Sequence, residues 1–406
     1  MRIFPRPSMF SLLLLFLLQI THVSGARDQF QHWYPEFSPI FERIVRENCS
    51  AEYHFYLTAQ KNRTHWNETS RWIGSGSSAS LTAPLVNCIM GACPEYMKSN
   101  MASANVLLGL APMILATLGS DVDETSVLAV IGNRPFFALC LTVGSPAVVA
   151  LRSFEYRDPP ALLRDRPGRL APMFFTFRIE LLVTVLEYAF VFAAITNVGT
   201  LGYQLGQNVA LSFAPNYGYI ILLWCFFSPI GHMVAAWALR LRTHWPGRTC
   251  IQQYRILCFS SSSFRDQFKT FFVGYTLDGP PPEIVLQKET PLDVLLSWFL
   301  SLLTAAHVMF GTLVFSSMLF ISVRDSVAVI TRFMGSVIVC RVVLMYELAK
   351  LRHLCNLPIR EEGGVERNGE IHSSGYRLAD LAGGSEDRQH YASRRYRPYG
   401  APIASY

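Results

Sequence analysis

Long apolar runs divide the chain into segments that could cross a membrane and polar segments that connect them. Four runs reach the roughly 20 residues that a transmembrane helix requires: 179–198, 217–239, 294–323 and 326–349. The first two flank an uncharged loop, and the last two flank a very short turn. The pattern therefore predicts two transmembrane helical hairpins.

The apolar pattern between residues 106 and 151 consists of two shorter pieces, each interrupted by Gly and Pro. The piece 106–119 has 14 residues, a length typical of a re-entrant or interfacial element. We therefore expect 135–151 to be the crossing and the acidic loop 120–134 to lie outside. The fold class is then an all-α polytopic transmembrane bundle of about five spans. A six-span bundle, in which both pieces cross, remains the alternative.

The first residues have the pattern of a secretory signal peptide. Arg2 and Arg6 precede the apolar core 9–20, and Val23 and Gly25 suit the −3 and −1 positions of a cleavage site. We expect cleavage after residue 25, because the core is short for a helix that needs about 20 residues to span a bilayer. An uncleaved signal anchor is the alternative. In both cases the next segment is lumenal or extracellular.

Residues 26–100 are predicted to form a small glycosylated ectodomain. Its three N-glycosylation acceptors are Asn48, Asn62 and Asn67. The use of Asn48 stays open, because the middle residue of its acceptor motif is a cysteine. Three cysteines, Cys49, Cys88 and Cys93, predict one disulfide and one free or intermolecular thiol, with the pairing open. A segment this small buries little apolar surface, so we expect it to pack on the membrane part or on a partner.

Composition and charge orient the predicted bundle, 101–350. The chain is 51% hydrophobic and 16% charged, whereas a soluble domain is about a quarter charged. The segments 152–178, 240–291 and 350–406 are net positive, and 26–105 is neutral. Basic loops stay cytoplasmic during insertion, which predicts an outside N-terminus and a cytoplasmic C-terminus. We expect the secretory pathway to deliver the protein to the plasma membrane, with the lipid bilayer as its partner and no nucleic-acid binding.

The tail 351–406 is polar and rich in Gly, Ser, Arg and Glu, which predicts a disordered cytoplasmic segment. A protein partner could bind this tail or the ectodomain.

Several stretches resemble a group of uncharacterised multi-pass membrane proteins of filamentous fungi. They read FERIVRENCSAEY, LVNCIMGACPEYMKSNMASANVLLGLAPMILATLGSDVDETSVLAVIGNRPFFALCLTVGSPAV and RSFEYRDP. The similarity covers roughly residues 40–350 and is most distinctive over 99–158. The resemblance implies that 106–146 is a structural unit, and it lends no activity, cofactor or site.

The chain contains no GxSxG, HExxH, GxxxxGK[ST] or GxGxxG motif and no metal-ligand spacing, so we expect neither an enzyme nor a bound cofactor or metal. Ionisable residues inside spans are the remaining candidates. Glu187, His232 and Arg341 each lie about 12–14 Å from a basic helix end, at about 1.5 Å per residue. Three alternatives remain open. Glu187 and Arg341 form a packing pair and His232 bonds a carbonyl, or the three form a polar cluster along a substrate or proton pathway, or they make no contact because the order of the helices leaves them apart.

Two function classes follow. The first is a non-enzymatic surface or receptor-like membrane protein that acts through its ectodomain and tail. The alternative is a transporter or channel that uses the intramembrane Glu187/His232/Arg341 cluster.

Overall fold

The computed structural model describes residues 29–61, 82–149, 177–215, 217–244, 285–286 and 290–354. The predicted signal peptide, Asn62, Asn67 and the C-terminal tail lie outside these residues. The described part is predominantly α-helical, and five of its helices are long and apolar enough to cross a membrane. The predicted all-α bundle of about five spans is confirmed.

An N-terminal cap precedes the long helices, and we define it as residues 29–61 and 82–94. Its helices are α1 (Ser38–Glu47), α2 (Ser50–Lys61) and α3 (Ala83–Ala92). Pro39 and Pro84 stand in the first turns of α1 and α3, where a missing backbone N–H costs no helical hydrogen bond. The disulfide Cys49–Cys88 joins the start of α2 to α3 and confirms the prediction of one disulfide in this region.

The rest of the described chain forms the bundle and its connections. Its helices are α4 (Glu95–Leu118), α5 (Val122–Val130), α6 (Pro135–Gly144), α7 (Phe177–Asn208), α8 (Ile220–Arg242), α9 (Pro291–Ser316) and α10 (Val323–Leu354). Four strands of two residues each connect them: β1 (Ala210–Leu211), β2 (Thr243–His244), β3 (Val285–Leu286) and β4 (Met318–Leu319). β1 pairs antiparallel with β4, and β2 pairs antiparallel with β3.

The first long helix is not the segment that hydropathy favoured. α4 starts well before the apolar run at 106, and its 24 residues are enough to cross, whereas α6 has 10 residues and ends at Gly144. The prediction that 135–151 crosses and 106–119 is re-entrant was therefore wrong. The reason is packing: Met97 and Met101, in the first turns of α4, are buried against the cap and extend the helix.

The cap and the bundle share one hydrophobic cluster. Phe320, in the connection between α9 and α10, is fully buried among cap residues and has a left-handed backbone (φ 69°). Its ring lies 5.3 Å from the Phe41 ring and 5.4 Å from the Trp33 ring, centroid to centroid. Asn100 accepts a hydrogen bond from the Val323 backbone N–H (2.9 Å) at the same boundary. The cap therefore packs on one end of the bundle, here called the cap end.

The opposite end of the bundle carries basic residues and is called the basic end. α8 finishes there with Arg240 and Arg242 in its last turn, and the last turns of α10 contain Lys350 and Arg352. The two ends therefore differ in chemistry: one is covered by an aromatic-rich cap, and the other carries cationic side chains.

The short helices α5 and α6 pack against each other and form a hairpin inside the bundle. Asp121 and Glu124 form a capping box that starts α5. Asn133, with a left-handed backbone (φ 53°), reverses the chain before α6, a conformation that asparagine adopts more readily than most residues. The hairpin starts and ends side by side, because Ser120 forms a parallel bridge with Val148.

Candidate functional site

The predicted ectodomain sites fall in the cap where the structure describes them. Asn48 is exposed, and the next residue, Cys49, is in the disulfide with Cys88. Cys93 is a free, buried thiol; burial raises its pKa, and the nearby Lys98 offsets this only in part. A thiol with a raised pKa is a poor nucleophile at neutral pH, so Cys93 has a packing role.

The structure separates the three intramembrane residues that the sequence grouped. Glu187 bonds to Arg134, His232 to Thr125 and Arg341 to Glu124. Glu187 and Arg341 form no ion pair with each other, so the predicted packing pair has the wrong partners. Each predicted residue does make a polar contact within the bundle.

The missed partners all come from the segment 121–134. The sequence placed this segment in an acidic outer loop, whereas the structure buries it as α5 and the start of α6. Glu124 and Thr125 are buried on α5, and Arg134 is buried at the turn that follows. The signal that could have found them is the apolar run 127–131, which separates one buried acid from one buried base.

We call Arg134, Glu187 and Glu347 the Arg134 site. The Arg134 side chain is 2% exposed, and its Nη1 lies 2.6 Å from Glu347 Oε2 and 3.5 Å from Glu187 Oε2. Its guanidinium carbon stands 4.2 Å from the centroid of the Phe137 ring, a cation–π contact. The hairpin tip is thus held to α7 and α10 by one cation and two carboxylates.

We call Arg341 and Glu124 the Arg341 site. Two guanidinium nitrogens of Arg341 bond the two carboxylate oxygens of Glu124, and the Nη2–Oε1 distance is 3.1 Å. This is the bidentate geometry in which an Arg–carboxylate pair is strongest. Glu124 Oε2 also accepts the Asp121 backbone N–H (3.4 Å). The start of α5 is thereby attached to the middle of α10.

Two stretches of non-helical backbone, 119–121 and 145–148, meet where the hairpin begins and ends, and we call them the mid-bundle break. A Cβ on Gly119 would stand 2.9 Å from the Ala147 carbonyl oxygen, so only glycine allows this approach. Ser228, in the middle of α8, donates its hydroxyl to the Ser145 carbonyl (3.4 Å). The break therefore lies about halfway along the long helices.

Two buried histidines also lie at the mid-bundle break. His232 Nδ1 lies 2.7 Å from Thr125 Oγ1, at the start of α5. His307 Nε2 donates to the Pro146 carbonyl oxygen (2.8 Å), which leaves Nδ1 without the proton in the neutral ring. The His307 ring stacks on Trp224 at 5.2 Å, and the Trp224 N–H donates to the His307 carbonyl oxygen (3.2 Å).

Three buried polar atoms at the break have no hydrogen-bond partner in the described part of the chain: Ser145 Oγ, His232 Nε2 and His307 Nδ1. All three side chains are nearly inaccessible to solvent. Each buried, unsatisfied polar group costs about 1–3 kcal/mol. His307 is therefore hydrogen-bonded at one ring nitrogen only. The three atoms offer hydrogen bonds to a small polar group that enters the break.

The described residues include no group of three or more side chains that could hold a metal ion. Comparison of the chain with known protein families, with curated proteins and with solved structures finds no match.

Proposed function

We propose that this integral membrane protein is a transport protein and that a small polar solute or ion crosses the bundle at the mid-bundle break. The observation that supports the proposal is the meeting of two non-helical backbone stretches, 119–121 and 145–148, halfway along the long helices. Backbone at membrane depth that is not helical needs other partners, and proteins tolerate it where it is enclosed or lines a path.

The polar groups around the break support passage of a hydrophilic species. At the break, Ser145, His232 and His307 each have a buried side-chain atom without a hydrogen-bond partner in the described part of the chain. Each of these atoms gains a hydrogen bond when a polar solute arrives. A bundle that serves only to anchor an ectodomain has no need of such unsatisfied groups.

The described arrangement corresponds to a closed state of the path. His232 and His307 are 4% and 2% exposed, so a solute reaches them only after a movement. We assign this movement to the hairpin α5–α6, because its helices do not span the bundle. The hairpin packs on its neighbours through buried apolar residues, and charged side chains at Glu124 and Arg134 hold it as well. Movement of a short element around a fixed level is one form of alternating access.

For the cellular setting we propose an outside N-terminal cap, a cytoplasmic basic end and residence in the plasma membrane. The charge of the loops supports this orientation, because the segments next to the basic end are net positive. The proposed orientation is the same whether α4 or the segment 135–151 crosses, because a single crossing in this region leaves all later segments on the same sides of the membrane. Membership of the fungal membrane-protein group stays a prediction.

The test of the transport function uses the full chain, purified and reconstituted in liposomes. Binding is screened by thermal stabilisation with amino acids, sugars, nucleosides and monovalent cations, and flux is then measured for each stabilising solute and for protons with a trapped pH dye. We expect His232→Phe and His307→Phe, which keep a ring and remove its nitrogens, to lower the flux at least tenfold.

The matched control is His54→Phe, on the exposed surface of the cap, which should leave flux unchanged. Equal flux in the wild type and in both break variants would contradict the proposal, as would the absence of binding and flux for every solute class tested.

A receptor-like function is the second candidate, and the joint between cap and bundle supports it. Ser322 donates to Glu36 of the cap (2.6 Å), and Phe320 is inserted in the cap core. A ligand that shifts the cap would therefore move the start of α10. The two functions differ in one measurement: a receptor responds to a cap ligand without net flux of any solute.

A further inference from the structure

The Arg134 site contains an unequal number of opposite charges. One guanidinium faces the carboxyl groups of Glu187 and Glu347, and each of these two side chains is 7% exposed. An isolated carboxylate in such surroundings is expensive, and one guanidinium cancels only one of the two. With both acids ionised, the site would carry a surplus negative charge away from water.

The two carboxyl groups also face each other. They lie within hydrogen-bonding reach, and Oε1 of each has no donor in the part of the chain that the structure describes. Ionised carboxylates only accept hydrogen bonds, so two of them cannot bond without a proton between them. A single proton on either carboxyl group would allow a hydrogen bond between the two and would remove the surplus charge.

The other charged and titratable groups around the site do not supply this charge by contact. Lys350, on the same helix as Glu347, acts on both carboxyl groups electrostatically but forms no ion pair with either in the described part of the chain. Among the described residues, Tyr188 and Cys140 are further titratable side chains near the site, and both side chains are ordinarily neutral at neutral pH.

We propose that Glu187 and Glu347 together bind one exchangeable proton and that this proton is the coupling ion of the transport proposed above, an extension that rests on that function. Binding is a simple protonation: one carboxylate oxygen gains an O–H bond from hydronium and a water molecule is released. The bound proton then bridges the two carboxyl groups.

The position of the site explains how the proton could control the path. Arg134 stands at the tip of the hairpin α5–α6, whose other end forms the mid-bundle break. A second proton would neutralise both acids and weaken their hold on Arg134, whereas loss of the proton would strengthen it. The charge at the tip therefore adds to or subtracts from the apolar packing that attaches the hairpin to α7 and α10.

Infrared difference spectroscopy on the purified full chain in lipid nanodiscs tests the bound proton without any transport substrate. We expect a carboxylic-acid C=O band at neutral pH that shifts on exchange into D₂O and disappears when the pH is raised. Glu187→Gln and Glu347→Gln should each abolish the band. Glu124→Gln, at the evenly charged Arg341 site, should retain it.

The absence of such a band, or its persistence in both Gln variants, would overturn the assignment and would favour charge compensation by Lys350. If a Gln variant fails to fold, Glu187→Asp and Glu347→Asp should displace the band without removing it.

The coupling is tested separately in liposomes: solute flux should rise several-fold with an inward proton gradient. Flux that ignores the gradient would overturn the coupling while leaving the transport function in place, and a band without flux of any solute would refute that function alone.

Discussion

The Arg341 site and the Arg134 site of the bundle differ in their charge balance. At the Arg341 site, one guanidinium meets one carboxylate in bidentate geometry, and Arg341 remains 26% exposed. At the Arg134 site, one guanidinium that is 2% exposed meets two carboxylates. Both attach the same hairpin to its neighbours. The comparison shows that an even pair suits a permanent attachment, whereas an uneven cluster can change its hold with its protonation.

The largest effect should come from removing the cation of the uneven site. Arg134→Met leaves two buried acids without a counter-charge, and loss of one partner of a buried ion pair costs about 3–5 kcal/mol. Equilibrium unfolding in detergent micelles measures it. Arg341→Met should cost less, because Arg341 is partly exposed and only one acid loses its partner. Equal losses would remove the distinction between the two sites.

A double-mutant cycle sharpens the comparison. Arg341→Met with Glu124→Gln removes both charges of the even site, so the double variant should recover about 1–3 kcal/mol relative to the sum of the single losses. Arg134→Met with Glu187→Gln should recover less, because Glu347 remains buried without a cation. A full recovery at the Arg134 site would show that Glu347 carries no charge there.

The dependence of stability on pH separates the sites further. Because the folded Arg134 site holds a proton that unfolded glutamates release at neutral pH, the free energy of unfolding should fall as pH rises, by up to about 1.4 kcal/mol per pH unit. Glu187→Gln keeps one acid per guanidinium and should flatten this dependence, whereas Glu124→Gln should not. Thermal unfolding across neutral and alkaline pH tests this, and an unchanged slope in Glu187→Gln would count against the shared proton.

The smallest effect should come from the cation–π contact between Arg134 and Phe137. Among the described contacts, the Arg341 site has no equivalent. Phe137→Leu removes the ring beneath the guanidinium and should cost about 1–2 kcal/mol, from lost cation–π attraction and packing. The same change at Phe333, a fully buried residue without a cation over its ring, separates the packing loss from the cation–π loss. Equal losses at both positions would assign the whole effect to packing.

The sequence predicted the helical class and the number of spans because long apolar runs report membrane length directly. It also identified Glu187, His232 and Arg341, since ionisable residues inside apolar runs are costly and therefore conspicuous. It did not predict their partners. Because the segment 121–134 begins and ends with charged residues, hydropathy treats it as a polar connection. Only the packing of the folded chain shows that Glu124 and Arg134 are buried inside the bundle.

The start of α4 was missed for a related reason. Residues 95–105 include charged and polar positions, so a hydropathy average starts the helix only near residue 106. The structure extends it because Met97 and Met101 fill the cap core on one helical face.

The cysteine count predicted that a disulfide forms but not which cysteines form it. An odd set of three predicted one disulfide, and only the positions of α2 and α3 in the fold select Cys49 and Cys88.

The insertion of Phe320 into the cap core has a consequence for biosynthesis. The cap precedes the long helices in the chain and is synthesised before them, but the aromatic residue that completes its core belongs to the connection between the last two long helices. Until residue 320 has been made and has reached the cap, Trp33 and Phe41 lack a neighbour that fully covers them. The cap therefore finishes folding late, and its completion reports that the final helix pair has been inserted.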